Sequence, residues 1–163
     1  EIVGAKLSIR PNCAARTKLS DVRPVVEISQ KVGIPIELAA FIGSSPIRQY
    51  AEGWTLERML RSCEEAVAFA VREGIPVMMV TEDTTRANPD TLRRIYTTAI
   101  ECGARRVCIA DTTGHYEIDG YRLVKGLPTE LTLAGLRLVA DRRDSLAAAE
   151  IVQQSMSLIS FRW

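Results

Sequence analysis

The sequence lacks the marks of several large functional classes. No stretch approaches the ~20 consecutive apolar residues of a membrane-spanning helix, so we expect no membrane partner. Lysine and arginine number 21 against 20 aspartate and glutamate residues, and a net charge of +1 gives no reason to expect nucleic acid as a partner. No basic segment with a long apolar core follows Glu1, which argues against a signal peptide and favours a cytoplasmic protein. A start at Glu1 rather than Met suggests a processed or excised piece of a longer chain.

Cysteine and histidine are also scarce. The four cysteines, Cys13, Cys63, Cys102 and Cys108, contain no Cys-x-x-Cys pair, which argues against a cysteine zinc site. We expect reduced, buried thiols, as in cytosolic proteins, and only Cys13, beside a predicted strand end, is a candidate to face a site. His115 is the single histidine, and a lone loop histidine is more often a surface residue than a catalyst.

Strand-like and helix-like patterns alternate along the chain. Short apolar runs predict strands, and apolar residues at three- and four-residue spacing predict the helices between them. The predicted strands cover residues 5–10, 34–42, 75–81 and 106–110, with weaker ones at 136–140 and 156–161. The predicted helices cover about 20–32, 55–73 and 88–102, with a possible short one at 121–125 and another at 144–154, and residues 43–46 are predicted to be a loop.

Two architectures of the α/β class fit this alternation. The strands are mostly apolar runs, as expected for parallel strands that are covered on both faces. One possibility is a doubly wound open sheet, and the other is part of an eight-stranded barrel. A complete barrel normally needs about 250 residues, so five or six units are too few to close one. The prediction is a single domain over residues 1–163.

Polar residues follow the predicted third strand. Glu82 and Asp83 come where this strand meets its loop, and Arg86 comes three residues later. A carboxylate at a strand end can act as a base, bind a metal or position an arginine. The planar guanidinium of Arg86 suits a substrate carboxylate. The alternative is a capped loop with a local ion pair.

The same arrangement recurs after other predicted strands. Thr112 follows the fourth strand and can donate its hydroxyl to an anion, and His115 comes shortly after it. Ser44 and Ser45 supply hydroxyl groups at another strand end, and Arg10 supplies a cation at a further one. In barrels of alternating strands and helices, the active site lies at the carboxyl ends of the strands. The other cations near these ends are scattered along the sequence and are interpreted as parts of solvated faces: Arg16, Lys18, Arg48 and Arg58.

Three motifs together resemble a known family. They are Glu82-Asp83-Thr84-Thr85-Arg86, Gly103-Ala104 and Asp111-Thr112-Thr113-Gly114-His115. In this order and spacing they resemble the middle of the 2-isopropylmalate synthase and homocitrate synthase group, which belongs with 3-hydroxy-3-methylglutaryl-CoA lyase among the DRE-TIM metallolyases. The segment Phe41-Ile42-Gly43-Ser44-Ser45 is similar to a family strand that ends in a serine-containing loop. The resemblance covers about residues 6–120.

The resemblance implies a metal-dependent (β/α)8 barrel that makes or breaks a carbon–carbon bond between a 2-oxo acid and an acetyl-CoA-derived unit. It implies that Glu82 is a catalytic residue that lies near the reacting groups. Thr112 would bind the carboxylate of the 2-oxo acid, and Ser44 and Ser45 would line the pocket. Arg86 would contact a distal carboxylate in members that take dicarboxylic substrates. The fold expected here is therefore a partial TIM barrel with parallel strands.

The chain departs from the family at the metal centre. The family holds a divalent metal through an Arg-Asp pair on its first strand and a His-x-His on a late strand. The Arg-Asp pair is absent, and Val139 and Asp141 would occupy the histidine positions. Valine cannot bind a metal, and Asp141 alone does not make a site. We therefore expect no tightly bound cofactor in this chain.

Three hypotheses follow from these observations. The first is a partial barrel of a 2-isopropylmalate synthase-like acyltransferase or lyase that is incomplete for catalysis alone. The second is a non-catalytic α/β module that binds a small carboxylate or completes its sheet with a partner, as a homo-oligomer or as part of a longer chain. The third is a decayed or misassigned reading frame after Gly120, where the motif quality drops.

Overall fold

Strands and helices alternate along the chain in the computed structural model, which describes residues 4–5, 9–113 and 158–162. The strands are β1 (Asn12–Arg16), β2 (Glu37–Gly43), β3 (Val77–Glu82), β4 (Arg106–Ala110) and β5 (Leu158–Arg162). The helices are α1 (Leu19–Val32), α2 (Pro46–Glu52), α3 (Leu56–Arg72) and α4 (Pro89–Glu101), with one 3-10 turn at Thr84–Arg86. No helix of the part of the chain that the structure describes is long and apolar enough to cross a membrane.

The five strands form one sheet in the order β1-β2-β3-β4-β5. Pairing is parallel from β1 to β4, which confirms the predicted alternating βα units and the partial barrel. The pairing of β4 with β5 is antiparallel, so the prediction of parallel strands is wrong for the last one. An apolar run specifies a buried strand but not its direction, which depends on the connection before it. The predicted strand at 136–140 and the helices at 121–125 and 144–154 lie outside the described residues.

The first described strand lies further along the chain than the predicted one, of which residues 6–8 lie outside the described residues. The alternation around Ile9 predicted residues 5–10, but the strand is β1, which pairs from Asn12 with Glu37 onwards. Only Ala15 of β1 is buried, because among the described strands β1 is at the edge of the sheet. A short, half-exposed edge strand carries little apolar periodicity, so its position could not be recognised from the pattern.

The helix ends follow the local signals closely. Thr55 precedes α3 and accepts a hydrogen bond from the backbone N–H of Arg58 at 3.2 Å. Asn88 caps α4 in the same way through Asp90, and Pro89 occupies the first helical position, as predicted. In α1, Pro24 lies inside the helix rather than in its first turn, where it was predicted. The loop predicted at residues 43–46 ends one residue earlier, because α2 begins at Pro46.

Both faces of the sheet are apolar, and alternate residues of each strand serve the two faces. Leu38, Val77 and Met79 face α1, α3 and α4 and are fully buried with Ile95 of α4. Burial of each such side chain contributes roughly 1.5–3 kcal/mol. The opposite face carries a smaller apolar cluster of Ala39, Met78, Val80 and Cys108, with Phe41 and Ala110 packed against it. In a closed barrel this second face is the interior.

The cysteines are free, and two of them are buried as expected. Burial raises the pKa of the Cys63 and Cys108 thiols to about 12. Cys102 is half-buried. Cys13 is exposed near the start of β1, so the prediction that it lies beside the site-bearing end of a strand is wrong.

Candidate functional site

The carboxyl ends of β2, β3 and β4 lie side by side at one edge of the sheet. Gly43 pairs with Glu82, and Thr81 pairs with Ile109. The segments that follow these strands therefore begin at the same level. We call residues 43–45, 82–86 and 111–113 the carboxyl edge.

Glu82, the predicted catalytic residue, ends β3 and is half-buried. Since side chains alternate along a strand, Glu82 shares its face with Val80 and Met78, away from the helices. It lines a cavity of about 110 Å³ at the carboxyl edge. Among residues 9–113 it makes no ion pair. Its carboxylate is therefore open to a ligand on the interior face of the sheet.

Ser44 and Ser45 are both buried, and they differ in what their hydroxyl groups contact. The Ser44 backbone N–H and hydroxyl both donate to the carbonyl oxygen of Glu82, at 3.0 and 2.9 Å. Ser44 thus joins the ends of β2 and β3. The Ser45 hydroxyl makes no hydrogen bond of ordinary geometry with a described residue, although it lies close enough to Asp83 to help lower the pKa of that carboxyl.

Asp83 and Arg86 form a bidentate ion pair. Arg86 Nε donates to Asp83 Oδ1 at 2.8 Å, and Nη2 donates to Oδ2 at 2.5 Å. Burial raises the pKa of Asp83, but the hydrogen bonds from Arg86, together with the nearby hydroxyl groups of Ser45 and Thr113, outweigh it and lower the pKa below its usual value of 3.8. The local ion pair that the sequence left as an alternative for Arg86 is therefore present. Two of its nitrogen atoms are committed to Asp83 rather than left for a substrate.

The backbone of Asp83 is left-handed, with φ 56° and ψ 42°. It is the only residue other than glycine with a positive φ in the described part of the chain. This conformation costs an aspartate about 1 kcal/mol. The turn directs the Asp83 N–H away from β3 and towards β4.

The two motifs at the ends of β3 and β4 contact each other directly. The Asp83 N–H donates to the Thr112 hydroxyl oxygen at 2.9 Å. Thr85 donates to Asp111 Oδ1 at 2.9 Å. Thr112 is exposed, and because its oxygen is the acceptor of the Asp83 bond, its proton remains free to be donated to an anion.

A buried hydroxyl cluster beneath the carboxyl edge was missed by the sequence reasoning. The Tyr96 hydroxyl contacts the Thr81 hydroxyl and donates to the carbonyl oxygen of Cys108 at 3.1 Å. Thr84 contacts Thr81 at 2.7 Å and accepts from the Ala110 N–H at 3.1 Å. Full burial raises the pKa of Tyr96, so its phenol stays protonated. The sequence did contain one signal for this cluster, because a tyrosine in the apolar face of a helix needs a buried partner for its hydroxyl group.

Other predicted site residues fall elsewhere. Arg10 precedes β1, and it borders a separate cavity at the opposite, amino-terminal edge together with Arg105 and Arg106. It comes just before β1 rather than after a described strand, and residues 6–8 of the strand predicted to precede it lie outside the described residues. His115 and Asp141 lie outside the described residues.

The carboxylates of the carboxyl edge do not by themselves fit a divalent metal. Residues 9–113 contain no group of three or more histidine, cysteine, aspartate or glutamate side chains arranged to hold one. Asp83 is paired with Arg86, and Asp111 accepts from Thr85. A metal needs several oxygen or nitrogen ligands converging on one point.

Comparisons with known proteins agree on one family. The family described as HMGL-like matches residues 1–135. The chain is 39% identical over 88 residues to a homocitrate synthase of Sulfolobus acidocaldarius, which covers 52% of this chain and 19% of that one. It is 35% identical over 101 residues to a 2-isopropylmalate synthase of Staphylococcus carnosus, covering 61% and 20%. The matched segments thus span about a fifth of these two relatives.

Solved structures share the fold. A hydroxymethylglutaryl-CoA lyase from Pseudomonas aeruginosa superposes with a TM-score of 0.57 at 18% identity, covering 78% of this chain and 45% of that one. An HMG-CoA lyase from Brucella melitensis gives a TM-score of 0.55 at 14% identity, covering 77% and 44%. The chain therefore corresponds to somewhat less than half of each of these lyases.

Proposed function

Because the chain belongs to the HMGL-like family, we propose that its carboxyl edge is part of the active site of an enzyme that makes or breaks a carbon–carbon bond. The proposed substrates are acetyl-CoA and a 2-oxo acid. The observation that carries the proposal is the direct contact between the motifs after β3 and β4, beside an open Glu82 carboxylate. That contact brings a proton acceptor and a hydroxyl donor to the same edge.

Glu82 is the proposed acid–base residue. In the condensing direction its carboxylate takes a proton from the acetyl methyl group of the thioester. The resulting enolate attacks the keto carbon of the 2-oxo acid, and the former keto oxygen takes up a proton to become a hydroxyl group. Water then hydrolyses the thioester, which leaves a carboxylate and releases CoA as the thiol. Thr112 is proposed to donate its hydroxyl proton to the carboxylate of the 2-oxo acid, with the hydroxyl held in place by the Asp83 N–H.

Arg86 is proposed as a positioning residue that acts through Asp83. Its Nε and Nη2 atoms bind the Asp83 carboxylate, and this ion pair holds the left-handed turn that presents the Asp83 N–H to Thr112. A distal carboxylate of a dicarboxylic 2-oxo acid would have to approach the remaining Nη1 atom of Arg86. Ser45, with its buried hydroxyl, is proposed to support the same turn.

A second candidate is a non-catalytic module that binds a small carboxylate. This candidate is favoured by the side chains of residues 9–113, which do not bring together three or more ligands for a divalent cation. In this case Thr112 and its neighbours bind the 2-oxo acid, and Glu82 transfers no proton.

One pair of measurements separates the two functions. Thiol release from acetyl-CoA is followed with a panel of 2-oxo acids and with manganese or magnesium present, and binding of the same acids is measured by ligand-observed NMR. The first proposal expects thiol release that is lost in Glu82→Gln and kept in Glu65→Gln, an exposed change on α3. Binding without thiol release would favour the module, and the absence of both would refute the two proposals together.

A further inference from the structure

Four cations that are far apart in the sequence line the same cavity as Glu82. The cavity lies between the ends of β1 and β2 and helices α2 and α3, and has a volume of about 110 Å³. Its cationic lining residues are Arg16, Lys18, Arg48 and Arg58. They were interpreted from the sequence as scattered parts of solvated faces; all four are exposed, and the tertiary structure brings them to the rim of one cavity. We propose that this cavity is an anion subsite that takes a phosphate group.

Each cation is brought there by a different element. Arg16 ends β1, and Lys18 is the residue before α1. Arg48 lies in α2, which follows β2 directly, and Arg58 lies in the first turn of α3. The short α2 is what brings the last two close, because it turns the chain back over the end of β2.

Arg48 reaches the cavity by crossing over Gly43. A Cβ atom added to Gly43 would lie 2.3 Å from Cγ of Arg48, so no other residue fits at this position without displacing the arginine. The absence of a side chain at the end of β2 thus leaves the space in which the Arg48 side chain lies.

The positive charge of the cavity is only partly neutralised. Arg16 pairs with Asp21 at 2.5 Å, and Arg48 pairs more loosely with Glu52 at 3.4 Å. Lys18 and Arg58 make no ion pair with any residue in 9–113. Four cations face the two carboxylates of the lining, Glu52 and Glu82. A concave site with excess charge of one sign attracts ions of the other sign.

The size and chemistry of the lining favour phosphate. The volume is below the roughly 150 Å³ that holds a benzene molecule, so the cavity accepts one tetrahedral or planar anionic group and not a whole nucleotide. Arginine forks bind phosphate oxygens in pairs. The hydroxyl groups of Thr17 and Ser62 also line the cavity and supply further donors.

Two sources could supply this group. One is free inorganic phosphate, which does not depend on the proposed function. The other is a phosphate of CoA, an assignment that rests on the use of CoA in the proposed function. The pantetheine arm separates the phosphates of a CoA molecule from its own thioester, so a CoA bound here by a phosphate would hold its acetyl group away from Glu82 and would compete with the proposed reaction.

The test is titration of the full chain with inorganic phosphate at about 0.1 M salt, where surface charges beyond ~10 Å are screened. We expect saturable binding. The affinity should fall about 10-fold in Arg48→Gln and about 10-fold in Arg58→Gln, because each variant loses one charge-assisted contact with the phosphate. Arg61→Gln, one turn along on the exposed side of α3, should bind like the unchanged chain. A thermal melt of each variant checks that it is folded.

Competition identifies the source. If the cavity binds a phosphate of CoA, CoA should displace inorganic phosphate. Pantetheine has no phosphate and should not displace it. Displacement by neither would assign the site to free phosphate. Phosphate binding that is absent, or equal in the Arg48→Gln/Arg58→Gln double variant and the unchanged chain, would overturn the inference. Glu82→Gln separates it from the proposed function, because that change should abolish thiol release, whereas phosphate binding should stay or become tighter as one negative charge is removed from the lining.

Discussion

The backbone N–H of Asp83 donates to the hydroxyl oxygen of Thr112 at 2.9 Å, across 29 positions of the sequence. This bond joins the loop after β3 to the loop after β4. It also orients the hydroxyl that we propose as the ligand for the 2-oxo acid.

Replacing Thr112 with valine should therefore weaken binding of the 2-oxo acid about 10-fold, because the donor is lost. Stability should fall by about 1 kcal/mol, since the Asp83 N–H loses its acceptor. Thr112→Ser keeps the hydroxyl and should retain most of both properties. NMR titration and urea unfolding measure the two effects. Equal binding by the valine and serine variants would remove Thr112 from the proposed site.

Tyr96→Phe should destabilise the fold by about 1–3 kcal/mol. The change removes a buried hydroxyl and leaves Thr81 and the carbonyl of Cys108 without that partner. Tyr50→Phe is the matched control, because Tyr50 is 90% exposed. Urea unfolding compares the two variants. A Tyr96→Phe protein as stable as the control would mean that the cluster contributes nothing net.

Stability should depend on Asp83 at low pH. Its pKa is lowered in the folded state by Arg86, Ser45 and Thr113 against the opposing effect of burial. The stability it contributes is therefore fully present above its unfolded pKa, near 3.8, and is lost as the pH falls through the lower folded pKa. Asp83→Asn, which still tolerates the left-handed backbone, should show a shallower loss of unfolding free energy below about pH 4. Identical pH profiles for both proteins would contradict this linkage.

Gly43→Ala should disturb Arg48. The added Cβ would lie 2.3 Å from Arg48 Cγ, so the arginine must move out of the cavity and phosphate binding should weaken. If the contact with Arg48 causes these effects, Gly43→Ala should change the phosphate affinity and the unfolding free energy little in a protein that already carries Arg48→Ala. A double-mutant cycle on phosphate affinity and unfolding free energy measures this coupling. Additive effects would show that the two residues act independently.

The thiols should react in the order of their exposure. Burial raises the pKa of Cys63 and Cys108 to about 12, which leaves little thiolate at pH 8, whereas Cys13 is exposed. Mass spectrometry after a short iodoacetamide treatment should find Cys13 alkylated first and Cys63 and Cys108 unmodified until the protein is unfolded. Rapid alkylation of Cys63 in the folded protein would contradict its place in the core.

Local signals account for the parts of the fold that were predicted correctly. β4 has the predicted bounds because Arg106 is followed by a continuous run of four apolar residues, and α4 begins at Pro89 because Asn88 and Pro89 form a complete start signal. The failures involve elements with weak local signals. β1 is short and mostly exposed, and the direction of β5 is set by distant parts of the chain.

The sequence by itself determined the alternation of strands and helices, the family, and the placing of Glu82 and Thr112 at neighbouring strand ends. The alternation and the strand ends follow from periodicity, and the family follows from the resemblance of three short motifs; both are properties of short segments. Only the tertiary structure decided which partners the side chains have. It committed Arg86 to Asp83, placed Arg10 at the opposite edge, and brought Arg48 and three other cations to one cavity beside Glu82. Such contacts depend on strand register and helix packing, which join residues that no local pattern relates.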